Sequence, residues 1–397
     1  MDFRISDDQA EFLGAFRSDL DGFDLTRAQR EAKDSAAMEN DVGPAGQELS
    51  RHLGAHGWLG VGWPREHGGQ ERTEFEQYLL LEELNYRRVP VVGMSVASVG
   101  PTIMRLGTQD QRRRYLPGIL AGEIHFSVGY TEPDAGSDLS RLSLRAQQAG
   151  DEYVVNGQKV FITAAHCASH IWLAVRTGEP DSLHRGISVL LVPLDAPGIT
   201  VRPLYTQSEV RTNEVYFDDV RVPVADRVGE ENAGWKAIVM ALDFERHFAV
   251  GGLLRDYEEL VEWTASGRQQ SDVAAQESGT AVLDDPASRQ RLATLAADLN
   301  VSRLFSTRTA WMITEGEVPN AEASMTKVWL TENIQRTTSA ALELMGESGQ
   351  LRVPDEYAPA GGYLESRYRV SSVWRFGAGT NEVQRNIIAQ RGLGLPR

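Results

Sequence analysis

Residues 130–138 read YTEPDAGSD, and the interpretation of the whole chain depends on them. The segment is a turn-rich loop whose Thr131 and Ser137 hydroxyls can donate hydrogen bonds to ring carbonyls or phosphates. Gly136 allows the backbone to approach a ligand closely, because glycine has no Cβ. Composition alone favours a simpler interpretation, a surface turn rich in Asp and Gly. The surrounding sequence has to decide between the two.

Short β-rich runs alternate with turn residues after this loop, up to about residue 232. Asn156-Gly157 is a dipeptide that supports the positive φ angles of a tight hairpin turn, so it predicts a turn between strands at 153–155 and 159–162. Further strands are predicted at 170–175, 186–192 and 214–220. These patterns indicate one compact all-β domain.

Helical patterns flank the β-rich region on both sides. Before it, Ser6 and Gln9 form a capping-box pattern, and a helix at 111–116 is expected to be interrupted by Pro117 and Gly118. The other predicted helices lie at 235–251, 287–314, 321–345 and 381–391. We therefore predict three domains, at 1–124, 125–232 and 233–397.

The composition limits the class of protein. The chain has 397 residues with 40 Lys and Arg against 56 Asp and Glu, a net charge of −16, which disfavours nucleic-acid binding. The single cysteine, Cys167, permits no intrachain disulfide and is expected to be buried or half-buried. The amino end lacks the pattern of a secretory signal, and no apolar run reaches the length of a membrane span. We expect a soluble cytoplasmic protein.

Four strings in this order resemble motifs of the acyl-CoA dehydrogenase family. The loop at 130–138 contains every specified position of the flavin-binding signature T-E-P-x-A-G-S-D. NGQKVFIT at 156–163 matches the next motif, N-G-x-K-x-(W/F)-I-T. VYFDDVRVP at 215–223 and GTNEVQR at 379–385 are similar to later family strings. The resemblance implies an α-helical N-terminal domain, a middle β-barrel or sandwich domain and a C-terminal four-helix bundle.

The same resemblance implies FAD as the cofactor. Thr131 is expected to bond the pyrimidine end of the flavin ring, and Thr163 to lie near the ring nitrogen that accepts hydride. Phe161 is expected to pack beside the isoalloxazine, the alternative being a residue of the strand core. Ser137 is expected near the FAD pyrophosphate and the CoA end of the substrate, and Thr380 near the adenosine. The remaining cofactor contacts implied by these strings are Tyr130, Gly136 and Glu382.

The catalytic base is implied at an unusual position. Many members of the family carry a Glu just before Gly-Thr near the carboxyl end, but here that residue is Ala378. Some branched-chain and long-chain members place the base in a D-x-E-R string on an earlier helix, and residues 243–246 read DFER. The resemblance therefore implies Glu245 as the base, with Asp243 and Arg246 near the substrate. The alternative is an exposed charged face of a helix.

Such a base would remove the α-proton of an acyl-CoA thioester. Desolvation raises the pKa of a carboxylate toward the working range, and hydrogen bonds to the thioester carbonyl stabilise the charge that develops there. The implied product is a trans-2-enoyl-CoA, with electrons passed to an electron-transfer flavoprotein. An oxygen-using relative, either an acyl-CoA oxidase or a flavin monooxygenase, and a non-catalytic partner subunit remain as alternatives.

Two motifs that serve FAD across a subunit interface in relatives are poor here. The R-x-x-F-G motif has only GRQQS at 267–271, and Q-x-x-G-G-x-G-Y has ELMGESGQ at 343–350. Glu343 and Glu347 place negative charge where an anionic cofactor would be bound, which is unfavourable. One interpretation is a heteromeric tetramer with a paralogous subunit that donates the missing residues, as in paired-gene dehydrogenases acting on steroid side chains. The alternative is a homotetramer that binds FAD through other residues.

Overall fold

A computed structural model describes residues 3–34, 42–89, 93–244, 249–266, 282–352, 355 and 357–396, with the backbone alone at 33, 34, 243 and 244. The chain divides into two compact units. The first unit consists of residues 1–17, 74–88 and 247–397. The second consists of residues 18–73 and 89–246.

Helices dominate the two ends of the chain. In chain order the α-helices of the described residues are α1 (Asp7–Asp21), α2 (Thr26–Asp34), α3 (Pro44–Ala55), α4 (Glu74–Tyr86), α5 (Gly100–Leu106), α6 (Gln109–Leu120), α7 (Gly234–Phe244), α8 (Gly251–Ala265), α9 (Pro286–Thr314), α10 (Asn320–Met345), α11 (Tyr363–Phe376) and α12 (Asn381–Ile387). The capping box predicted before α1 is confirmed, because the Ser6 hydroxyl accepts the Gln9 N–H at 3.2 Å and the Gln9 amide oxygen accepts the Ser6 N–H at 3.0 Å.

Helix α6 departs from the sequence prediction. It runs through Pro117 and Gly118 to Leu120, so the predicted interruption is wrong. A proline removes only one backbone donor, and a capping box between Thr108 and Gln111 stabilises the start of this helix. Its buried face includes Leu116 and Ile119. Tertiary burial therefore outweighs the local helix-breaking signal.

The second unit contains a seven-stranded mixed sheet. The strands are β1 (Phe126–Gly129), β2 (Arg145–Ala149), β3 (Glu152–Lys159), β4 (His170–Arg176), β5 (Ile187–Pro193), β6 (Ile199–Tyr205) and β7 (Arg211–Pro223). β4 pairs with β1 in parallel and with β5 antiparallel, while β2, β3, β7 and β6 continue the sheet as antiparallel neighbours. The apolar runs of β4 and β5 are almost fully buried, although β5 pairs with β4 alone among the strands. Predicted strands at 170–175, 186–192 and 214–220 correspond to β4, β5 and β7.

The hairpin predicted at Asn156-Gly157 is wrong. Strand β3 is continuous through both residues, and the turn to β2 lies instead at Gly150 and Asp151. Asn156 and Gly157 form an irregularity in the pairing of β3 with β7, where Gly157 has a φ of 134°. The Asn156 side chain donates to Asp219 at 3.0 Å and accepts its N–H at 2.9 Å. The predicted positive φ is therefore found at Gly157 but not at Asn156, and it belongs to a shift in strand register such as a β-bulge.

The helices of the first unit pack around apolar clusters. One contains Leu260, Leu295, Ala341 and Leu364 from four different helices. None of the described helices combines enough length with enough hydrophobicity to traverse a lipid bilayer. This unit also buries charge, because Asp256 is fully buried and accepts from Arg88 at 2.9 Å and from Arg367 at 3.1 Å.

Candidate functional site

The loop at 130–138 begins directly after β1 and folds back on itself. Glu132 and Ala135 exchange two backbone hydrogen bonds, at 3.0 and 3.1 Å, which places Pro133 and Asp134 at the tip of a tight turn. Gly136 and Ser137 follow on the exposed side. A Cβ built on Gly136 would meet no atom of the described chain within 4 Å, so the space above it is open to a ligand.

A buried lysine holds this loop against the end of β3. Lys159 is 0% exposed, and its Nζ donates to the Tyr130 carbonyl at 3.0 Å and to the Glu132 carboxylate at 2.8 Å. The Thr131 carbonyl in turn accepts the Val160 N–H at 3.0 Å. Tyr130 and Glu132, the two neighbours of Thr131, therefore both bond the Lys159 side chain. The sequence analysis missed this link.

Both carboxylate oxygens of Glu132 accept hydrogen bonds from protein groups. The Ser143 N–H and hydroxyl donate to one carboxylate oxygen at 2.6 and 2.8 Å, and the Leu144 N–H donates to the other at 2.9 Å. Burial acts to raise the pKa of Glu132, but Lys159 and these donors outweigh it and the pKa is lowered. Burial lowers the pKa of Lys159 to about 8, against the opposing effect of Glu132.

The segment after β3 presents an aromatic ring to the surface. Phe161 is 57% exposed and has a φ of 57°, a left-handed conformation that is rare for a bulky residue. The alternative that Phe161 belongs to the strand core is therefore wrong. Asn213 holds the neighbouring residue Ile162, since its carbonyl accepts the Ile162 N–H at 2.9 Å and its side-chain amide donates back at 2.8 Å. Asn213 is fully buried, and no sequence motif pointed to it.

The threonines proposed for the flavin ring, Thr131 and Thr163, lie on the loop after β1 and on the segment after β3. Thr131 and Thr163 are both partly exposed, and neither hydroxyl is engaged in a hydrogen bond within the described part of the chain. Tyr130, by contrast, is committed to the protein, because its hydroxyl accepts the Trp172 indole N–H at 2.9 Å. The second unit therefore brings Tyr130, Thr131, Phe161 and Thr163 onto adjacent loops, with Gly136 and Ser137 farther along the first of them.

Thr380 lies in the first unit and has a structural task. Its hydroxyl accepts the Val383 N–H at 3.2 Å and so caps the amino end of α12. Glu382 is exposed, and a hydrogen bond from its own backbone N–H lowers its pKa. Ala378 and Gly379, just before the cap, have φ angles of 50° and 84°. Ala378 is exposed and carries no group that titrates.

A second buried lysine, Lys327, holds the turn at 378–381 in place through hydrogen bonds. Lys327 donates to the Asn381 side chain at 2.7 Å and to the Arg375 carbonyl at 3.0 Å. Thr331 also bonds Asn381, which is fully buried. Burial lowers the pKa of Lys327 to about 8. The GTNE turn is thus fixed by residues that its own motif does not contain.

Comparisons with known proteins cover most of the chain. It matches the family models named acyl-CoA dehydrogenase N-terminal domain over residues 24–123, middle domain over 127–220 and C-terminal domain over 232–393. It is 40% identical to acyl-CoA dehydrogenase FadE26 of Mycobacterium tuberculosis, with 94% of each chain covered. The chain belongs to the acyl-CoA dehydrogenase family.

Two similar solved structures of this family are complexes of two different chains. The Tcur3481–Tcur3483 steroid acyl-CoA dehydrogenase has a chain that is 37% identical, with a TM-score of 0.89 and 100% of both chains covered. The ChsE4–ChsE5 complex from Mycobacterium tuberculosis has one that is 38% identical, with a TM-score of 0.88 and 100% of both chains covered. The fold predicted from the sequence is confirmed, with a helical N-terminal domain, a middle domain built on the sheet and a helical C-terminal region.

The acyl-CoA dehydrogenases are FAD enzymes, and the second unit fits the ring of that cofactor. An isoalloxazine has an apolar face and polar edges, so it requires an apolar contact surface and hydrogen-bond donors beside it. Phe161 supplies an exposed aromatic ring, and Thr131 and Thr163 supply hydroxyls that no other described residue engages. The buried Lys159–Glu132 pair ties the loop of Thr131 to the end of β3.

The family motif around Glu343 is only partly retained. Gly346 has a φ of 60° and Gly349 packs so closely that a Cβ would lie 3.0 Å from the Leu342 carbonyl, so both glycines keep a structural role. Glu343 forms an ion pair with Arg291 and remains largely exposed, and Glu347 is exposed as well. The Arg291 contact lowers the pKa of Glu343.

The implied base lies outside the described residues. Glu245 and Arg246 follow the last described turn of α7, and of Asp243 only the helical backbone is described. The segment at 267–271, compared above with R-x-x-F-G, also lies outside the described residues. These assignments stay predictions.

Proposed function

We propose that this chain is the catalytic subunit of a heteromeric acyl-CoA dehydrogenase that oxidises a bulky acyl-CoA to the trans-2-enoyl-CoA. The observation that carries the proposal is the set of exposed side chains on two adjacent loops of the second unit. There, the buried Lys159–Glu132 pair holds an exposed Phe161 and two threonine hydroxyls that have no hydrogen-bond partner among the described residues. An exposed aromatic residue held in a left-handed conformation suits a surface that a ligand covers.

The chemistry assigned to the chain is proton transfer. Glu245 removes the proton from the carbon beside the thioester, and the base is more effective where water is excluded. Asp243 and Arg246 are assigned to the substrate, with Asp243 near the pantetheine arm, and Ser137 to the CoA end. FAD, when bound, accepts hydride from the β-carbon. The Thr131 and Thr163 hydroxyls orient the ring so that this acceptor faces the substrate.

Charge at the interface motif supports a partner subunit. Glu343 and Glu347 are exposed anions at positions where relatives bind part of an anionic cofactor. A second copy of this chain would place these carboxylates against the FAD of its neighbour, with Arg291 offsetting part of the Glu343 charge. A paralogous subunit with Gln and Gly at these positions avoids that repulsion. The two-chain composition of the similar solved complexes supports the same assembly.

We predict that the chain expressed alone is poor in FAD and gains it on co-expression with such a paralogous subunit. The measurements are flavin absorbance per chain and the mass of the complex by light scattering. A matched control is the Glu343→Gln/Glu347→Gly variant expressed alone, which should recover part of the flavin because it removes two negative charges. Full flavin occupancy of the wild-type chain by itself, as a homotetramer, would reject the heteromeric assembly.

The substrate and the electron acceptor are tested on the co-purified complex. Bleaching of the flavin under argon is compared for a steroid side-chain acyl-CoA, a branched acyl-CoA and a short straight-chain acyl-CoA. We expect the steroid substrate to bleach the flavin fastest, since the similar complex is a steroid dehydrogenase. Turnover with an electron-transfer flavoprotein under argon, with little turnover under air, is expected. Rapid turnover that requires oxygen would instead indicate an oxidase or monooxygenase.

Ala378→Glu tests whether the usual family position can serve as a second base. We expect less than a twofold gain in kcat, because the proposal assigns proton removal to Glu245 and leaves no such role for a second carboxylate. Ala378→Gln is the matched control for side-chain bulk. A large gain with Glu but not with Gln would show that the earlier-helix base is incomplete.

A further inference from the structure

Three potential metal ligands cluster in the second unit on residues that the dehydrogenase motifs do not include. Asp19, His52 and His56 each offer one ligand atom, and these atoms lie within 4.8 Å of one another. The Asp19 carboxylate is 2.9 Å from His52 Nε2 and 3.9 Å from His56 Nδ1. Tetrahedral zinc ligands lie about 3.3 Å apart when each is about 2.0–2.1 Å from the metal, so modest side-chain rotations would close the set.

The helix geometry already aligns the two imidazoles. His52 is in the last turn of α3 and His56 follows the helix directly, four residues later, so both rings lie on one face. Their centroids are 4.2 Å apart. His56 Nδ1 also lies 2.9 Å from the His52 carbonyl, a contact that orients the His56 ring beside His52. A backbone carbonyl that orients an imidazole in this way is a common companion of metal-binding histidines.

The local field favours a cation. Asp19 lies in the last turn of α1 and the histidines lie at the carboxyl end of α3, so the negative ends of two helix dipoles lie beside the cluster. The last turn of α1 contains no basic residue. Phe23 packs on the His52 ring at 4.9 Å and limits its rotation. His56 is half-exposed, so an ion can enter from solvent.

We propose that Asp19, His52 and His56 bind a divalent transition-metal ion, with zinc as the best-suited species. Two imidazoles and one carboxylate with a fourth position for water is a ligand set typical of zinc, whereas magnesium and calcium prefer oxygen ligands throughout. The site joins the end of α1 to the end of α3 and takes no part in dehydrogenation. Its role is to stabilise this helical part of the second unit.

Calorimetric titration of zinc chloride into the tag-free, flavin-loaded complex tests the site. We expect one zinc per copy of this chain and a higher unfolding temperature with zinc. His56→Gln should weaken zinc binding at least tenfold, because it removes one of three protein ligands and leaves the His52–Asp19 contact intact. Flavin content and dehydrogenase activity should be unchanged in this variant.

Two controls separate a built site from surface binding. His184→Gln removes an exposed histidine elsewhere in the second unit and should leave zinc affinity unchanged. Magnesium chloride should give no heat of binding and no change in unfolding temperature. Absence of zinc binding in the wild type, or equal zinc affinity in wild type and His56→Gln, would overturn the proposal and leave Asp19 and His52 as an ordinary polar contact.

Discussion

Replacing Glu245 by Gln should lower the rate of dehydrogenation at least a hundredfold while FAD stays bound. A positioned general base contributes about a hundredfold to ten-thousandfold to such a rate, and an amide cannot accept the α-proton. The measurement is flavin bleaching by an acyl-CoA in a stopped-flow instrument under argon, with the flavin spectrum recorded before mixing. The size of the side chain is preserved, so binding of the thioester should change little.

Glu123→Gln is the matched control for this experiment. Glu123 is an exposed carboxylate elsewhere in the second unit, and its replacement should leave bleaching unchanged. If the Glu245→Gln variant bleached at the wild-type rate, Glu245 would not be the catalytic base. The chain would still share the fold of the family, but the proposed mechanism would be rejected.

Replacing Lys159 by Met should lower the free energy of unfolding by about 3–5 kcal/mol and release FAD. The substitution removes the cation from a fully buried pair and leaves the Glu132 carboxylate without it, which is the costly way to break a buried ion pair. It also frees the Tyr130 carbonyl on one side of Thr131, while Glu132 on the other side keeps its bonds from Ser143 and Leu144. The measurements are urea unfolding of the complex and the dissociation constant of FAD.

The double variant Glu132→Gln/Lys159→Met separates the charge effect from the loss of packing. It removes both charges, so it should recover part of the stability lost in Lys159→Met. Lys236→Met is the control, because Lys236 is exposed. If Lys159→Met matched that control in both stability and FAD affinity, the buried pair would have no role in positioning the flavin loop.

Much of the site could be predicted because its residues lie in contiguous strings. The signature at 130–138 and the string at 156–163 each have a fixed spacing along the chain, so Thr131, Phe161 and Thr163 could be proposed as flavin contacts from the sequence, and they stay predictions. The helices at 286–314 and 320–345 could also be predicted, because their apolar spacing is local. The exact domain boundaries at 124 and 232 stay predictions, since each of the two compact units is assembled from segments that are distant along the chain.

Local patterns failed where a distant partner decided the conformation. Asn156-Gly157 has the composition of a hairpin turn, but Asp219 binds Asn156 from another strand and turns the pair into a bulge. Pro117 is a helix breaker by itself, yet burial of the residues around it keeps α6 intact. In both cases the local preference amounts to a few kcal/mol at most, which tertiary contacts can exceed.

The sequence by itself determined the family and the cofactor, because both are encoded in short strings with fixed spacing, and the same strings predict the side chains offered to the flavin ring. Only the tertiary structure revealed Lys159 as the link between two loops, Asn213 as the anchor of Ile162, and Asp19 beside His52 and His56. The physical reason is distance along the chain. A buried lysine or asparagine is defined by the groups that compensate its burial, and these groups come together only when the sheet and the helices have packed.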